Sequence, residues 1–198
     1  MAAKVDIFNG ALVALGEQDV LLDPEEIATG GKLLRVKYDS VRDATLEAHP
    51  WNFAGVRVQI AADATAPLWG ASNQFTLPAD PYCLKVRELQ DLTIDFVVEG
   101  RKLLVDAGGP LNLIYTRRVT DTEEFTGLFV ETLELHLAAK IAFGLTRSNS
   151  RADALWAQYL AQLRQARSSD GQEGTPPERA DSEFINARGG RSRGRSGR

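Results

Sequence analysis

The hydrophobic period of the chain changes at Pro50, and that change decides most of what it can build. Upstream, Ile27, Leu34, Tyr38, Val41, Thr45 and Ala48 lie on one face of a helix. Proline disfavours helical geometry at the residue before it, so this helix must end at His49. Downstream the period falls to two. Val56-Arg57-Val58-Gln59-Ile60 alternates, Thr93–Val98 is rich in strand formers, and Leu103–Val105 and Leu111–Tyr115 continue the pattern. Pro78–Pro81 and Gly108–Pro110 punctuate loops, and Glu99-Gly100-Arg101 is placed to close a hairpin. Beyond Thr120 a four-residue spacing returns in Phe125, Phe129, Leu133, Leu137 and Ile141. The expected class is therefore α+β: a helical bundle formed by N- and C-terminal helices, a central β-rich domain and an extended C-terminal arm.

Local signals set the expected boundaries. Val5–Leu15 reads as a short helix stopped by Gly16. Asp23, Pro24 and Glu26 have the spacing of a cap, a first helical position and a capping-box partner, which predicts one helix from there to about Ala48. Gly30 and Gly31 then fall inside it at roughly 1 kcal/mol each relative to Ala, and they mark either a close helix contact or a bend. Thr120 or Asp121 is expected to cap the next helix, with Gly144 and Thr146–Asn149 ending it. Ser150 and Asp153 offer a further capping box before a face made by Ala152, Leu155, Tyr159, Leu163 and Ala166, with Trp156 adjacent. These two helices are expected to pack as a hairpin and join Val41 in a small bundle. The resulting divisions are 1–50 for the N-terminal helices, 51–119 for the β-rich region, 120–169 for the helical hairpin, 170–188 for a partner-binding arm and 189–198 for a flexible basic tail.

Charge is divided between body and tip. Arg188, Arg191, Arg193, Arg195 and Arg198 contribute five positive charges to a formal net charge of −4, so residues 1–187 carry −9. Such a basic tip on an acidic body is a weak signal for DNA, because arginine pairs with carboxylate as readily as with phosphate. Residues 168–177 are too polar to build a core, which predicts an extended arm after Arg167. Within that arm Phe184 and Ile185 are adjacent hydrophobes flanked by Asn186, Ala187 and Arg188, placed to anchor in a partner's pocket or to pack locally.

Few residues here point to chemistry. His49 and His136 are the only histidines and Cys83 is the only cysteine, so no closed zinc site, disulfide framework or cofactor set is expected. Asp39 and Asp43 share a helix face without a neighbouring nucleophile, so neither catalysis nor a catalytic residue is expected. His49-Pro50-Trp51-Asn52-Phe53 reads as a packed corner between helix and sheet, and His136 as an interfacial or surface residue beside the apolar stripe. No apolar run is long enough to span a bilayer, and assembly in a cytosol is the default expectation.

The run Tyr38-Asp39-Ser40-Val41-Arg42-Asp43-Ala44-Thr45-Leu46-Glu47-Ala48-His49-Pro50-Trp51-Asn52-Phe53-Ala54 resembles the tail tubular protein A family, the head-to-tail adaptors of short-tailed bacteriophages. Phe75–Asp80, Pro110–Tyr115, Tyr115–Asp121 and Leu128–Val130 resemble it further, and the likeness extends over roughly residues 3–188. Gly30–Gly31 and the arginine-glycine-serine terminus depart from the family pattern.

The resemblance implies a structural adaptor in the virion, at the head-to-tail junction, assembled in the host cytoplasm. It implies about twelve adaptor subunits in a ring between the portal protein and a tail nozzle protein of the tail tubular protein B type, around a passage for double-stranded DNA, each making the same heterologous contact. The helical regions and the arm at Phe184, Ile185, Asn186, Ala187 and Arg188 would engage the portal, and the β-rich region would face the tail. Tyr38, Arg42, His49, Pro50, Trp51, Asn52 and Phe53 would form the helix–sheet junction. An alternative is a nucleic-acid-binding regulator that contacts phosphate through Arg191, Arg193, Arg195 and Arg198.

Overall fold

A computed structural model describes residues 2–173 other than Asp19 and Ile27. Four helices, α1 (Lys4–Leu15), α2 (Thr29–Glu47), α3 (Gly127–Thr146) and α4 (Asn149–Gln172), enclose in sequence six strands: β1 (Gly55–Ile60), β2 (Asn73–Thr76), β3 (Cys83–Leu89), β4 (Phe96–Glu99), β5 (Lys102–Val105) and β6 (Leu111–Arg117). The fold is mixed α+β, as the change of period at Pro50 requires.

Helix α3 is the centre of the bundle and packs against α1, α2 and α4. Its spaced residues Phe129, Leu133, Leu137 and Ile141 are all buried, as are Leu155, Tyr159, Leu163 and Ala166 from α4 and Leu34, Tyr38 and Val41 from α2. Burying such a row is the main stabilisation open to short helices, at roughly 1.5–3 kcal/mol per large apolar side chain. Gly16 ends α1 at φ 82°, where its N–H and that of Glu17 reach back to Val13 and Leu12 carbonyls. Arg147, at φ 54°, turns α3 into α4, giving the expected hairpin.

The strands make two antiparallel three-stranded sheets, ordered β1-β6-β3 and β2-β5-β4. Ile60, Leu89, Leu111 and Leu113 from the first share one core with Phe75, Leu103 and Val105 from the second. Glu99-Gly100-Arg101 closes the β4–β5 hairpin, with Gly100 at φ 57°.

Several boundaries differ from the sequence expectation, each for a local reason. Helix α2 begins at Thr29 because Asp23 and Glu26 close a separate turn: Asp23 Oδ1 accepts from Glu25 N, and Glu26 Oε2 accepts from Leu22 N. Gly30 and Gly31 therefore lie in the first turn of α2, not its interior. They mark a close approach: a Cβ on Gly30 would sit 2.8 Å from Leu12 Cδ2. Asp121 caps only a short 3-10 turn, Thr122–Glu124, and Thr126 caps α3. Ser148 caps α4, two residues before the expected Ser150. Most consequentially, α4 continues to Gln172, so residues 168–172, expected to leave the helix after Arg167, are helical. Phe184, Ile185, Asn186, Ala187, Arg188, Arg191, Arg193, Arg195 and Arg198 lie outside the described residues.

Candidate functional site

The joint between bundle and sheets is built by the Tyr38–Ala54 run and held by long-range hydrogen bonds and ion pairs. Pro50 stops α2, and Trp51 turns inward with only 1% of its surface exposed. Its indole Nε1–H donates to the Thr45 carbonyl at 2.9 Å, which ties the turn to the last coil of α2. The ring meets Phe129 edge-on with centroids 5.1 Å apart, and Phe53 meets Phe129 at 5.0 Å. Such pairs add about 0.5–1.5 kcal/mol each beyond area burial.

Two groups fasten this corner from elsewhere in the chain. Asp170, near the end of α4 and 7% exposed, accepts from Asn52 N at 3.1 Å and from His49 Nε2 at 3.0 Å. Its own carbonyl accepts from Asn52 Nδ2 at 2.6 Å. From β3, Arg87 donates to the Trp51 carbonyl at 2.5 Å and to Thr116 Oγ1 at 2.9 Å. Burial outweighs the attraction of Asp170 and holds His49 below its ordinary pKa. The His49–Asp170 contact is thus a hydrogen bond of a neutral imidazole at pH 7, with the proton on Nε2 and the buried Nδ1 without a partner among the described residues.

Arg42 and Tyr38 support the same joint one turn earlier. Arg42 is buried and pairs with Asp39 at 2.9 Å and Asp43 at 2.8 Å. Asp43 also binds Arg118 at 2.7 Å, just beyond β6. The two aspartates that share a helix face are therefore bridged by one arginine, an arrangement that orients their side chains. Arg118 and Arg101 both lie over the Tyr82 ring, 4.3 and 4.1 Å from its centroid. Arg101 continues the chain of contacts by donating to the Cys83, Leu77 and Pro78 carbonyls. Helix α2 is thereby linked through β3 and β6 to the β4–β5 hairpin. Tyr38 packs edge-on against Phe8 at 5.5 Å, and its hydroxyl has no hydrogen-bond partner among the described residues.

His136 is buried, contrary to the interfacial or surface position expected. It stacks on Tyr159 with centroids 4.2 Å apart, and its Nδ1 lies 2.8 Å from Thr45 Oγ1. That hydroxyl donates to the Val41 carbonyl at 2.7 Å, so Nδ1–H donates to the hydroxyl oxygen. Burial and the Lys140 charge lower the His136 pKa to about 4, leaving it neutral. Cys83 is a buried thiol, with its pKa raised by burial to about 11.

Sequence reasoning brought together Tyr38, Arg42 and His49 through Phe53 but missed Asp170, Arg87 and Arg118. Asp170 sits in a Ser-Ser-Asp-Gly run with no apolar spacing to betray a buried end, and Arg87 lies in a strand with irregular alternation. Among the described residues, no group of three or more His, Cys, Asp or Glu side chains is placed to hold a metal ion, and no helix is long and apolar enough to cross a membrane. Neither a protein-family model nor a curated protein matches this chain.

Proposed function

We propose that this protein is a structural head-to-tail adaptor of a short-tailed bacteriophage, a ring subunit that joins a portal to a tail nozzle. The observation that carries the reading is the joint itself. The run on which the resemblance rests, Tyr38–Ala54, holds the bundle to the sheets through Asp170, Arg87 and the Arg42–Asp43–Arg118 ion pairs. A subunit that links two machines needs its two interacting regions held in a fixed relation, because a loose joint would lose ordering entropy on every docking event. The sheet region also presents Leu68, 100% exposed, and Trp69, 85% exposed, as apolar groups open to a neighbour. In this reading the work is noncovalent.

The test is to incubate the protein with cognate portal rings and image the product at side-chain resolution. A second ring of this subunit seated on the portal is the expected result, with Phe184 or Ile185 buried against it. No association under assembly conditions would overturn the reading. Salt-sensitive binding to free duplex that disappears on removing residues 189–198 would favour the nucleic-acid-binding regulator instead.

A further inference from the structure

A groove of about 520 Å³ runs along the outer side of the β2-β5-β4 sheet, between the Pro67–Ala71 loop and β4. Its wall is apolar where Trp69, Val97 and Leu104 line it, and its rim carries Asp95, Glu99 and Asp106. Lys102 is the only cation in the lining, and it is paired with Asp63 Oδ2 at 2.5 Å and bound to Thr76 Oγ1 at 2.7 Å. Neither Asp95 nor Glu99 takes part in an ion pair among the described residues. Among the described residues strand β4 pairs only with β5, so its other edge offers backbone donors and acceptors along the groove that none of them takes up. The site therefore suits an extended segment with apolar anchors and positive charge.

The chain carries such a segment. Phe184-Ile185 is followed by Arg188, Arg191, Arg193, Arg195 and Arg198, with no acidic residue after Glu183. Phe184 lies 11 residues beyond Glu173, a tether of at most roughly 36–40 Å when extended, and the arginines follow it by 4 to 14 residues more. Three other clefts fit this segment less well: the one beside Tyr82 sets Lys85, Arg101 and Arg118 against Asp43 and Glu47, the one on the outer face of the first sheet places Arg57 opposite Glu88, and the one lined by Glu17, Glu26 and Val20 has no strand in its lining and so no free backbone edge. We propose that in the free protein, before any portal is met, residues 184–198 of this chain dock in the β4 groove, with Phe184 and Ile185 against Trp69 and Val97 and the arginines on Asp95 and Glu99. The docking rests on the groove and the charges of the terminus, and it holds or fails without a portal.

Cysteine pairing in the full chain tests this, because the native Cys83 is buried. Val97→Cys with Phe184→Cys should form a disulfide at least about fivefold faster than Val36→Cys with Phe184→Cys, since docking raises the effective concentration at one place only. Val97 and Val36 are both exposed, so both pairs should fold, which the melting transition checks. Adding Asp95→Asn and Glu99→Gln, or roughly 0.5 M salt, should remove most of the difference. A crosslink within one chain or between two copies counts equally as occupancy. Equal rates for the two pairs, or a preference that is indifferent to both the charge substitutions and salt, would overturn the proposal.

Discussion

Asp170→Ala is the sharpest perturbation of the joint. The carboxylate accepts from Asn52 N at 3.1 Å and His49 Nε2 at 3.0 Å, in a position only 7% exposed. Alanine would leave both donors without their acceptor while keeping the helix backbone and the carbonyl contact to Asn52 Nδ2. Hydrogen bonds to a charged group contribute roughly 1.5–3 kcal/mol each, and water entering from the cleft lined by Thr126 and Glu173 would recover part of that. The expected loss is about 2–4 kcal/mol, or a fall in Tm of about 4–16 °C for a domain of this size. Urea denaturation followed by far-UV circular dichroism reads it as a lower midpoint at unchanged slope. Asp170→Asn, which keeps one acceptor oxygen, should lose less. Truncation after Ser169, which also removes the carbonyl that accepts from Asn52 Nδ2, should lower the midpoint by at least as much relative to truncation after Glu173. A loss below about 1 kcal/mol for Asp170→Ala would refute the view that α4 fastens the corner, since surface changes alone have effects of that size.

Three further outcomes follow from other contacts. Glu134 packs against Gly10, where a Cβ would lie 2.2 Å from the carboxyl carbon, and burial together with the charges of Glu131 and Asp6 raises its pKa to about 7. The protonated form is favoured in the folded state, so stability falls as pH rises from about 4.5 through 7. Glu134→Gln should exceed the parent above pH 7 by about 1–2 kcal/mol after allowance for solvent screening, and the advantage should vanish below pH 4.5. His136 works in the opposite sense: its pKa of about 4 lies below the ordinary 6.5, so its contribution is present above pH 6.5 and is lost as pH falls toward 4. His136→Gln should flatten that acid limb of the stability–pH curve, even if it lowers stability at neutral pH. Arg101→Ala removes the donor to three carbonyls and should lower stability by about 2 kcal/mol, read as a shifted urea midpoint.

Pro50, the four-residue apolar spacing of α3 and α4, and the Glu99-Gly100-Arg101 turn were legible because each acts over a few residues of chain. A proline ring forbids the preceding helical conformation wherever it sits, and a row of leucines and phenylalanines must be covered whatever covers it. Strand β3 was harder to read: its register shifts between Cys83 and Lys85 and again between Val86 and Glu88, which breaks the alternation that marks a strand. Strand β2 has only four residues. The Asp23–Glu26 signal was real, but it closed its own turn before α2 could start.

Sequence alone determined the α+β class, the faces the helices bury and the place where helix gives way to sheet. Only the tertiary structure decided that Ser-Ser-Asp-Gly stays helical, because the partners of Asp170 lie more than a hundred residues earlier in the chain. His136 is the same case. Its burial depends on Tyr159 and Thr45, which come from two other helices and leave no mark on the spacing around it. Hydrophobic periodicity reports what a segment must hide, whereas a polar residue becomes buried only when distant groups arrive to satisfy its hydrogen bonds.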